Sequence, residues 1–292
     1  LSFDEGGASK MDKEKAFWEE QLRVYNSLPY NNLEKYYNWQ PARFAGNKAA
    51  ILLMKKYLKN IKTSCEIGAG SCAFSFSLHN EFSDLSLNAV DISKSAVEYG
   101  NLIADDMNIK INYRQQNLFE IKTKYDLVLS LGVIEHYKEE ERLKFIRKCY
   151  EISNKYIIIA IPNQESIFFK NYVAWSKRKS KKYEEKHEKF NINDLLYLIE
   201  NNGFKILIND GFQVFLSESK FLSEETKQNE KIISILKKGL YENNRELAMK
   251  FPYIDFKKEN IDSMAITENK LTRKDRIQLS FMSFILAEKI PK

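Results

Sequence analysis

Apolar runs of strand length alternate with amphipathic stretches of helix length along the middle of the chain. The run 125–131 is mostly apolar, as in a parallel strand that is buried on both faces, whereas 85–90 and 109–116 alternate with a period of two. Between these runs, apolar residues return at helical spacing. The repeated order of strand and helix predicts an α/β protein with a parallel sheet that is covered by helices.

The same pattern continues toward the end of the chain. Ser93 is suited to cap a helix that runs to about Met107, and Gly203 is suited to end a helix near 193–201. Three further apolar runs predict strands at 156–161, 204–215 and 279–286.

A glycine turn, Glu66-Ile67-Gly68-Ala69-Gly70, follows the first apolar run and opens the next helix. Gly68 and Gly70 can adopt a positive φ and let a ligand approach the backbone, and the N–H groups of the helix then face that ligand. The Glu66 carboxylate repels a pyrophosphate and attracts an ammonium group, which favours S-adenosylmethionine over a dinucleotide. The spacing Gly68-x-Gly70-x-x-Ala73 also fits the dinucleotide pattern, so an NAD(P)-dependent oxidoreductase stays open as an alternative.

A second acid, Asp91, ends the apolar run at 85–90. It lies about 20 residues past the turn, where an acid accepts hydrogen bonds from ribose hydroxyls. This placement suits a nicotinamide cofactor and S-adenosylmethionine equally well.

Taken in order, these motifs resemble those of the class I S-adenosylmethionine-dependent methyltransferases. The matching residues are Glu66–Gly70, Asp91, Asn117-Leu118, Tyr125–Val128 and Gly132–His136, and the resemblance covers roughly residues 45–215 and the C-terminal strand. It implies a Rossmann-like, doubly wound, seven-stranded and mostly parallel sheet in the order 3-2-1-4-5-7-6, with a helical cap. It also implies that the cofactor is S-adenosyl-L-methionine.

The resemblance assigns cofactor contacts to residues at the carboxyl ends of the first four strands and to one arginine before them. Asn117 stands where the family usually has Asp, and its amide oxygen can accept the same hydrogen bond from the adenine amino group. Leu118 would offer its backbone N–H to adenine, and Arg43 would bind the methionine carboxylate. The full set is Glu66, Gly68, Ala69, Gly70, Asp91, Ile92, Asn117, Leu118, Leu131 and Arg43.

Two histidines are candidate catalytic residues, and a structural or surface role is the alternative for each. His136 follows the fourth strand, and imidazole is the usual base for a hydroxyl acceptor near neutral pH; relatives often carry a histidine that faces substrate near the position of His187. Some relatives bind a metal through Glu-x-x-Glu-His, but Gly132 replaces the first acid here, so we expect no metal. The Glu-His pair resembles small-molecule methyltransferases of the ubiquinone-pathway and sugar-modifying kind, with oxygen favoured over nitrogen or carbon as the acceptor atom.

The resemblance and the composition together suggest how the chain is divided. Residues 1–10 precede Met11 and are interpreted as an expression-vector remnant. The expected divisions after them are an N-terminal helical cap at 11–44, the methyltransferase core at 45–217, a helical insertion or cap at 218–275, and the final strand at 276–292.

The amino-acid composition limits the classes of protein to which the chain can belong. A hydrophobic content of 43% and an aromatic content of 13% exclude a disordered protein, and no apolar run approaches the length of a membrane span. The three cysteines show no metal spacing, and no signal segment opens the chain, so we expect a cytoplasmic protein.

The net charge of +6 makes a nucleic-acid partner unlikely. The basic run 177–182 nonetheless keeps two options open, an anionic or sugar-like acceptor and an RNA-associated protein. A non-catalytic cofactor-binding subunit also remains an alternative, and the sequence does not indicate the oligomeric state.

Overall fold

The computed structural model describes residues 10–29, 35, 37, 40–179, 190–215, 222, 227–253 and 256–291. Seven strands form one sheet in the order β3-β2-β1-β4-β5-β7-β6. All neighbouring pairs are parallel except those of β7, which is antiparallel to β5 and β6. The predicted sheet order is therefore confirmed. The strands are β1 Thr63–Ile67, β2 Ser86–Asp91, β3 Ile111–Gln115, β4 Tyr125–Leu131, β5 Ser153–Pro162, β6 Phe204–Phe212 and β7 Met282–Lys289.

Helices cover both faces of this sheet. They are α1 Lys10–Asn26, α2 Pro41–Met54, α3 Ala73–Glu81, α4 Lys94–Met107, α5 Glu139–Ile152, α6 Ile167–Lys179, α7 Ile192–Glu200, α8 Lys227–Asn243, α9 Arg245–Lys250, α10 Ile261–Lys270 and α11 Arg273–Leu279. Short 3₁₀ turns follow β3 at Leu118–Glu120 and β4 at Ile134–His136.

The middle strands carry the core, as their apolar sequences predict. Residues Ile157–Ile161 of β5 are all at most 1% exposed, and they face apolar clusters on both sides of the sheet. The cap of α4 also matches its prediction, because the Ser93 hydroxyl accepts a hydrogen bond from the Ala96 N–H. Full burial of the central strands explains why their positions could be predicted from their continuous apolar runs.

Two strand boundaries differ from the predicted ones. β6 ends at Phe212 and not near residue 215, because Gln213 adopts a left-handed φ of +62° that no strand can continue. β7 begins at Met282 and not at Leu279, because Thr272 caps the helix α11, which runs through Leu279.

Helical segments flank the sheet at both ends of the chain. The N-terminal helices α1 and α2 precede β1, and α8–α11 lie between β6 and β7. Within these two groups, α10 packs directly on α2. No helix in the described part of the chain is both long and apolar enough to cross a membrane.

Candidate active site

The turn between β1 and α3 has the backbone that the glycine pattern predicts. Gly68 has a φ of +64° and Gly70 a φ of +52°. A Cβ added to Gly68 would lie 2.5 Å from Cγ2 of Val133, the residue that follows Gly132 after β4. A side chain at position 68 would therefore be strained in its backbone and would also push the β4 loop away.

Two side chains, Asp91 and Tyr113, hold this turn in place. The Gly70 N–H donates to Asp91 Oδ2 at 3.0 Å, and the Ser93 N–H donates to Asp91 Oδ1 at 2.9 Å. The Tyr113 hydroxyl donates to the Gly70 carbonyl oxygen at 2.8 Å. At Gly100, on α4, a Cβ would lie 2.5 Å from Cε1 of Tyr113, so this glycine leaves room for the tyrosine ring.

The Glu66 carboxyl lies beneath the turn and is only 4% exposed. Its Oε2 accepts hydrogen bonds from the backbone N–H and the hydroxyl of Ser75, at 3.0 Å and 2.5 Å. Burial raises the pKa of Glu66 to about 7, against the lowering effect of Ser75 and of Arg43. Among the described residues no group donates to Oε1, so this oxygen is left for a cation in the adjoining cavity.

This cavity has a volume of about 530 Å³, within the range of small-molecule sites. One part of its wall comes from the glycine turn, the end of β4 and the helix α2, and the other comes from the ends of β5, β6 and β7 and from α6. The first part contains Glu66, Gly68, Ala69, Gly70, Ser71, Leu131, Gly132, Gln40, Arg43 and Asn47. The second contains Pro162, Tyr172, Phe212, Gln213, Phe281 and Met282, and Phe17 and Phe74 complete the lining.

The remaining predicted cofactor residues lie at the carboxyl ends of β2 and β3. The Ile92 side chain is 63% exposed beside Asp91, which suits it to cover a flat ligand on that edge. Asn117 is exposed, and its Oδ1 accepts from the Phe119 N–H at 3.0 Å, while Leu118 is buried. Burial also raises the pKa of Asp91, although the N–H groups of Ser93 and Gly70 oppose this shift.

Of the two candidate histidines, the described residues include His136. His136 is exposed at the end of the 3₁₀ turn after β4, and it is not among the residues that line the cavity. His187 lies outside the described residues. Next to His136, Glu135 is 4% exposed and burial raises its pKa to about 7. Its Oε1 lies 3.6 Å from the point where Gly132 would carry a Cβ.

Sequence reasoning missed several residues that shape this site. Ser75 donates a hydrogen bond to Glu66, and Tyr113 donates one to the Gly70 carbonyl oxygen. Asn47 and Gln213 line the cavity directly. Ser75 had a local signal, since it stands in the first turn of the helix that the glycine turn opens. The other three had none, because each reaches the site from an element that is distant along the chain.

Comparison with known proteins gives a family for the central part of the chain. Residues 65–155 match the family model of a methyltransferase domain. This segment contains the glycine turn, Asp91, Asn117-Leu118 and the end of β4. No curated protein sequence matches the chain.

Solved structures with the same fold cover nearly the whole chain. Magnesium protoporphyrin IX methyltransferase from Synechocystis PCC 6803 with bound SAH is 13% identical, with a TM-score of 0.54 over 96% of this chain and 97% of that one. A putative sarcosine dimethylglycine methyltransferase from Galdieria sulphuraria is 16% identical, with a TM-score of 0.51 over 96% and 99%. The [4+2]-cyclase SpnF is 10% identical, with a TM-score of 0.54 over 98% of both chains. Identities this low concern the fold alone.

The sheet order, the turn geometry and the family match define a Rossmann-like methyltransferase. Residues 65–155 form a methyltransferase domain, and the cofactor of this enzyme is S-adenosylmethionine. The residues present fit this cofactor, because the Glu66 oxygen suits its ammonium group and the close backbone at Gly68 and Gly70 leaves room for it.

Proposed function

We propose that this enzyme transfers a methyl group to the oxygen atom of a small, uncharged acceptor that binds in the second half of the cavity. The observation that carries the proposal is the wall formed by Pro162, Tyr172, Phe281 and Met282. It continues directly from the cofactor turn. The ring centroids of Tyr172 and Phe281 lie 5.4 Å apart, nearly perpendicular to each other. Aromatic surfaces of this kind favour a flat, apolar acceptor body.

The charges around the cavity support an uncharged acceptor. Among the described lining residues, Glu66 and Arg43 are the only groups with an acidic or basic side chain, and both lie on the cofactor side. They suit the two ends of an amino-acid tail, with Glu66 for the ammonium and Arg43 for the carboxylate. Lys177 and Arg178, the described start of the basic run, lie at the end of α6 beyond the lining residue Tyr172, and we do not assign them to the acceptor.

The protein's contribution to the reaction is alignment and removal of a proton. The cofactor supplies a methyl group that its sulfonium already activates, so the chain mainly has to hold the acceptor atom in line with it. A hydroxyl acceptor must also lose its proton, and we assign His136 to this step as general base. His187 remains a second candidate in the same role.

The test combines binding with turnover. Calorimetric titration should show micromolar-range affinity for S-adenosylhomocysteine and none for NAD(H). Formation of S-adenosylhomocysteine from S-adenosylmethionine should then be measured with a panel of neutral phenols and, separately, with matched anilines and with phenolic acids. Turnover of the neutral phenols supports the proposal. Turnover confined to anilines or acids would contradict the acceptor assignment, and preference for NAD(H) would contradict the cofactor.

A further inference from the structure

Gln213 combines three structural features. It follows the last residue of β6, it has a left-handed φ of +62°, and it is 9% exposed in the wall of the cavity. A residue other than glycine adopts this backbone only where the surroundings impose it. Such strain is commonly associated with a functional side chain, so the cause of the conformation is informative.

A buried carboxyl imposes the conformation. Glu268 on α10 has no exposed surface, and its two oxygens accept from the backbone N–H groups of Gln213 at 2.8 Å and Val214 at 3.3 Å. The Gln213 carbonyl oxygen in turn accepts from the Phe281 N–H at 3.1 Å, which ties the turn to the start of β7. The backbone at Gln213 is therefore held from two sides by groups that lie far away along the chain.

The facing helix is shaped to receive the same residue. A Cβ at Gly46 on α2 would lie 2.5 Å from Cγ and 2.8 Å from Cα of Gln213. Gly46 thus leaves the space through which the Gln213 side chain passes. The aromatic wall with Phe281 and Met282 begins next to it.

A chain of hydrogen bonds sets the orientation of the Gln213 amide. The Ser77 hydroxyl donates to the Ala73 carbonyl at 2.8 Å and accepts from Asn47 Nδ2 at 3.4 Å. Asn47 Oδ1 therefore faces Gln213 and accepts from its Nε2 at 3.3 Å. This leaves Gln213 Oε1, which accepts no hydrogen bond from any of the described residues. This carbonyl oxygen can accept a hydrogen bond from a ligand.

The position of β6 indicates which ligand supplies the donor. In the sheet order the cofactor strands β1, β2 and β3 lie on one side of β4, and β6 is the outermost strand on the other side. Gln213 therefore belongs to the half of the cavity that faces the acceptor.

We propose that the Gln213 amide is the polar specificity element of the acceptor site, and that its Oε1 accepts a hydrogen bond from a hydroxyl or N–H group of a neutral acceptor other than the group that is methylated. The apolar body of that acceptor lies against Tyr172 and Phe281. Glu268 and Gly46 are positioning residues that hold the amide in place. This inference rests on the proposed function, since it concerns the acceptor of the same reaction.

The test uses two probes of nearly equal size, 4-fluorophenol and 4-fluorotoluene, titrated by fluorine NMR with saturating S-adenosylhomocysteine present. The quantity compared is the ratio of the two dissociation constants. We expect Gln213→Met to lower the preference for the phenol by about 3–10-fold, the effect of one hydrogen bond. Gly46→Ala should lower the preference similarly, because the added methyl group displaces the Gln213 amide without changing its chemistry. Lys48→Ala, at a partly exposed position on the same helix, is the control and should leave the ratio unchanged.

Substitutions of Glu268 test the inference independently. Glu268→Leu should lower the phenol preference, because it frees the backbone of 213–214. Glu268→Gln should largely retain the preference, because its amide oxygen can still accept from the Gln213 N–H. A purely structural role would lower stability in both variants without changing the ratio.

Calorimetry with S-adenosylhomocysteine on the same samples separates the possible failures. If the wild type does not bind it, the proposed function fails. An unchanged phenol preference in Gln213→Met and Gly46→Ala would overturn the inference. So would a variant whose only change is weaker S-adenosylhomocysteine binding, because Gln213 would then contact the cofactor. Failure of the wild type to bind either probe would also overturn it, since the site would not accept a neutral aromatic body.

Discussion

The hydroxyl of Tyr113 donates a 2.8 Å hydrogen bond to the carbonyl oxygen of Gly70, across 43 residues of sequence. It links the middle of β3 to the glycine turn after β1, and Gly100 leaves the space that the ring occupies. The cofactor turn is therefore held from the side of β3 as well as by Asp91. Its shape depends on a tyrosine that no glycine motif includes.

Tyr113→Phe tests this link. The variant leaves a buried carbonyl oxygen without its donor, so we expect a loss of about 0.5–1.5 kcal/mol in the free energy of unfolding. S-adenosylhomocysteine affinity should fall by up to about tenfold because the turn is less well held. Urea unfolding and calorimetry measure the two effects. Tyr197→Phe, at a position that is 69% exposed, should change neither, and an equal effect there would contradict the assignment.

Asp91 and Asp126 form a matched pair for the second prediction. Both carboxylates accept a backbone N–H, Asp91 from Gly70 and Asp126 from Lys62 at 2.8 Å, but they lie at opposite ends of the sheet. We expect Asp91→Asn to weaken S-adenosylhomocysteine binding by about 1–3 kcal/mol, the value of a hydrogen bond to a charged group. Asp126→Asn should leave that affinity unchanged. Comparable losses in both would indicate general destabilisation and not ribose binding.

Stability should decline as the solution becomes more alkaline. Burial raises the pKa of Glu66 and Glu135 to about 7 and that of Glu268 to about 8. Between about pH 5 and 8, the folded chain therefore keeps protons that the unfolded chain has already released. Because the folded state binds more protons in this window, the free energy of unfolding decreases as pH rises. Urea unfolding at pH 5.5, 6.5, 7.5 and 8.5 measures the slope.

Glu268→Gln provides the control for this slope, since it removes one of the titrating groups. Its stability should depend less on pH between 7 and 8 than that of the wild type. A wild-type stability that stays constant or rises from pH 5.5 to 8.5 would contradict the raised pKa values of these carboxyls.

His136→Ala tests the base. With a phenolic acceptor, loss of this group should lower kcat by about 10²–10⁴. The affinity for S-adenosylhomocysteine should stay constant, because we expect Glu66 and Asp91 to determine it. His79→Ala, on α3, is the matched control and should retain turnover. Near-normal turnover of His136→Ala would remove His136 from the chemistry, and Glu135→Gln would then be the next variant to measure.

The sheet could be predicted because local patterns determine it. Strands such as β4 and β5 are buried on both faces, and their sequences are apolar for that reason alone. The glycine turn could be predicted equally well. A positive φ favours glycine, so the conformation at positions 68 and 70 can be seen in the sequence as Gly68 and Gly70.

The acceptor half could not be predicted in the same way. Gln213 looked like the continuation of a strand, because its left-handed turn depends on Glu268, 55 residues away, and on Gly46. The wrong prediction for the start of β7 has a different cause, because the sequence did contain a local signal there. Thr272 and Asp275 form the Thr-x-x-Asp signature of a helix start, which does predict α11.

The pH dependence of cofactor binding tests the role of Glu66. Its raised pKa of about 7 means that much of this carboxyl is protonated at pH 6 in the absence of ligand. An ammonium group beside Oε1 favours the ionised form. Affinity for S-adenosylhomocysteine should therefore rise as pH increases from about 5.5 to 7.5. Binding should also release protons, which calorimetry in buffers of different ionisation enthalpy detects.

5′-Methylthioadenosine is the matched ligand, because it lacks the amino-acid tail and so has no ammonium group for Glu66. Its affinity should stay nearly constant over the same pH range. Glu66→Gln should make the S-adenosylhomocysteine curve equally flat and lower the affinity at pH 7.5, with little change for 5′-methylthioadenosine. If both ligands showed the same pH dependence in the wild type, the titrating group would lie at the adenosine end of the site, and Asp91 would be the group to examine.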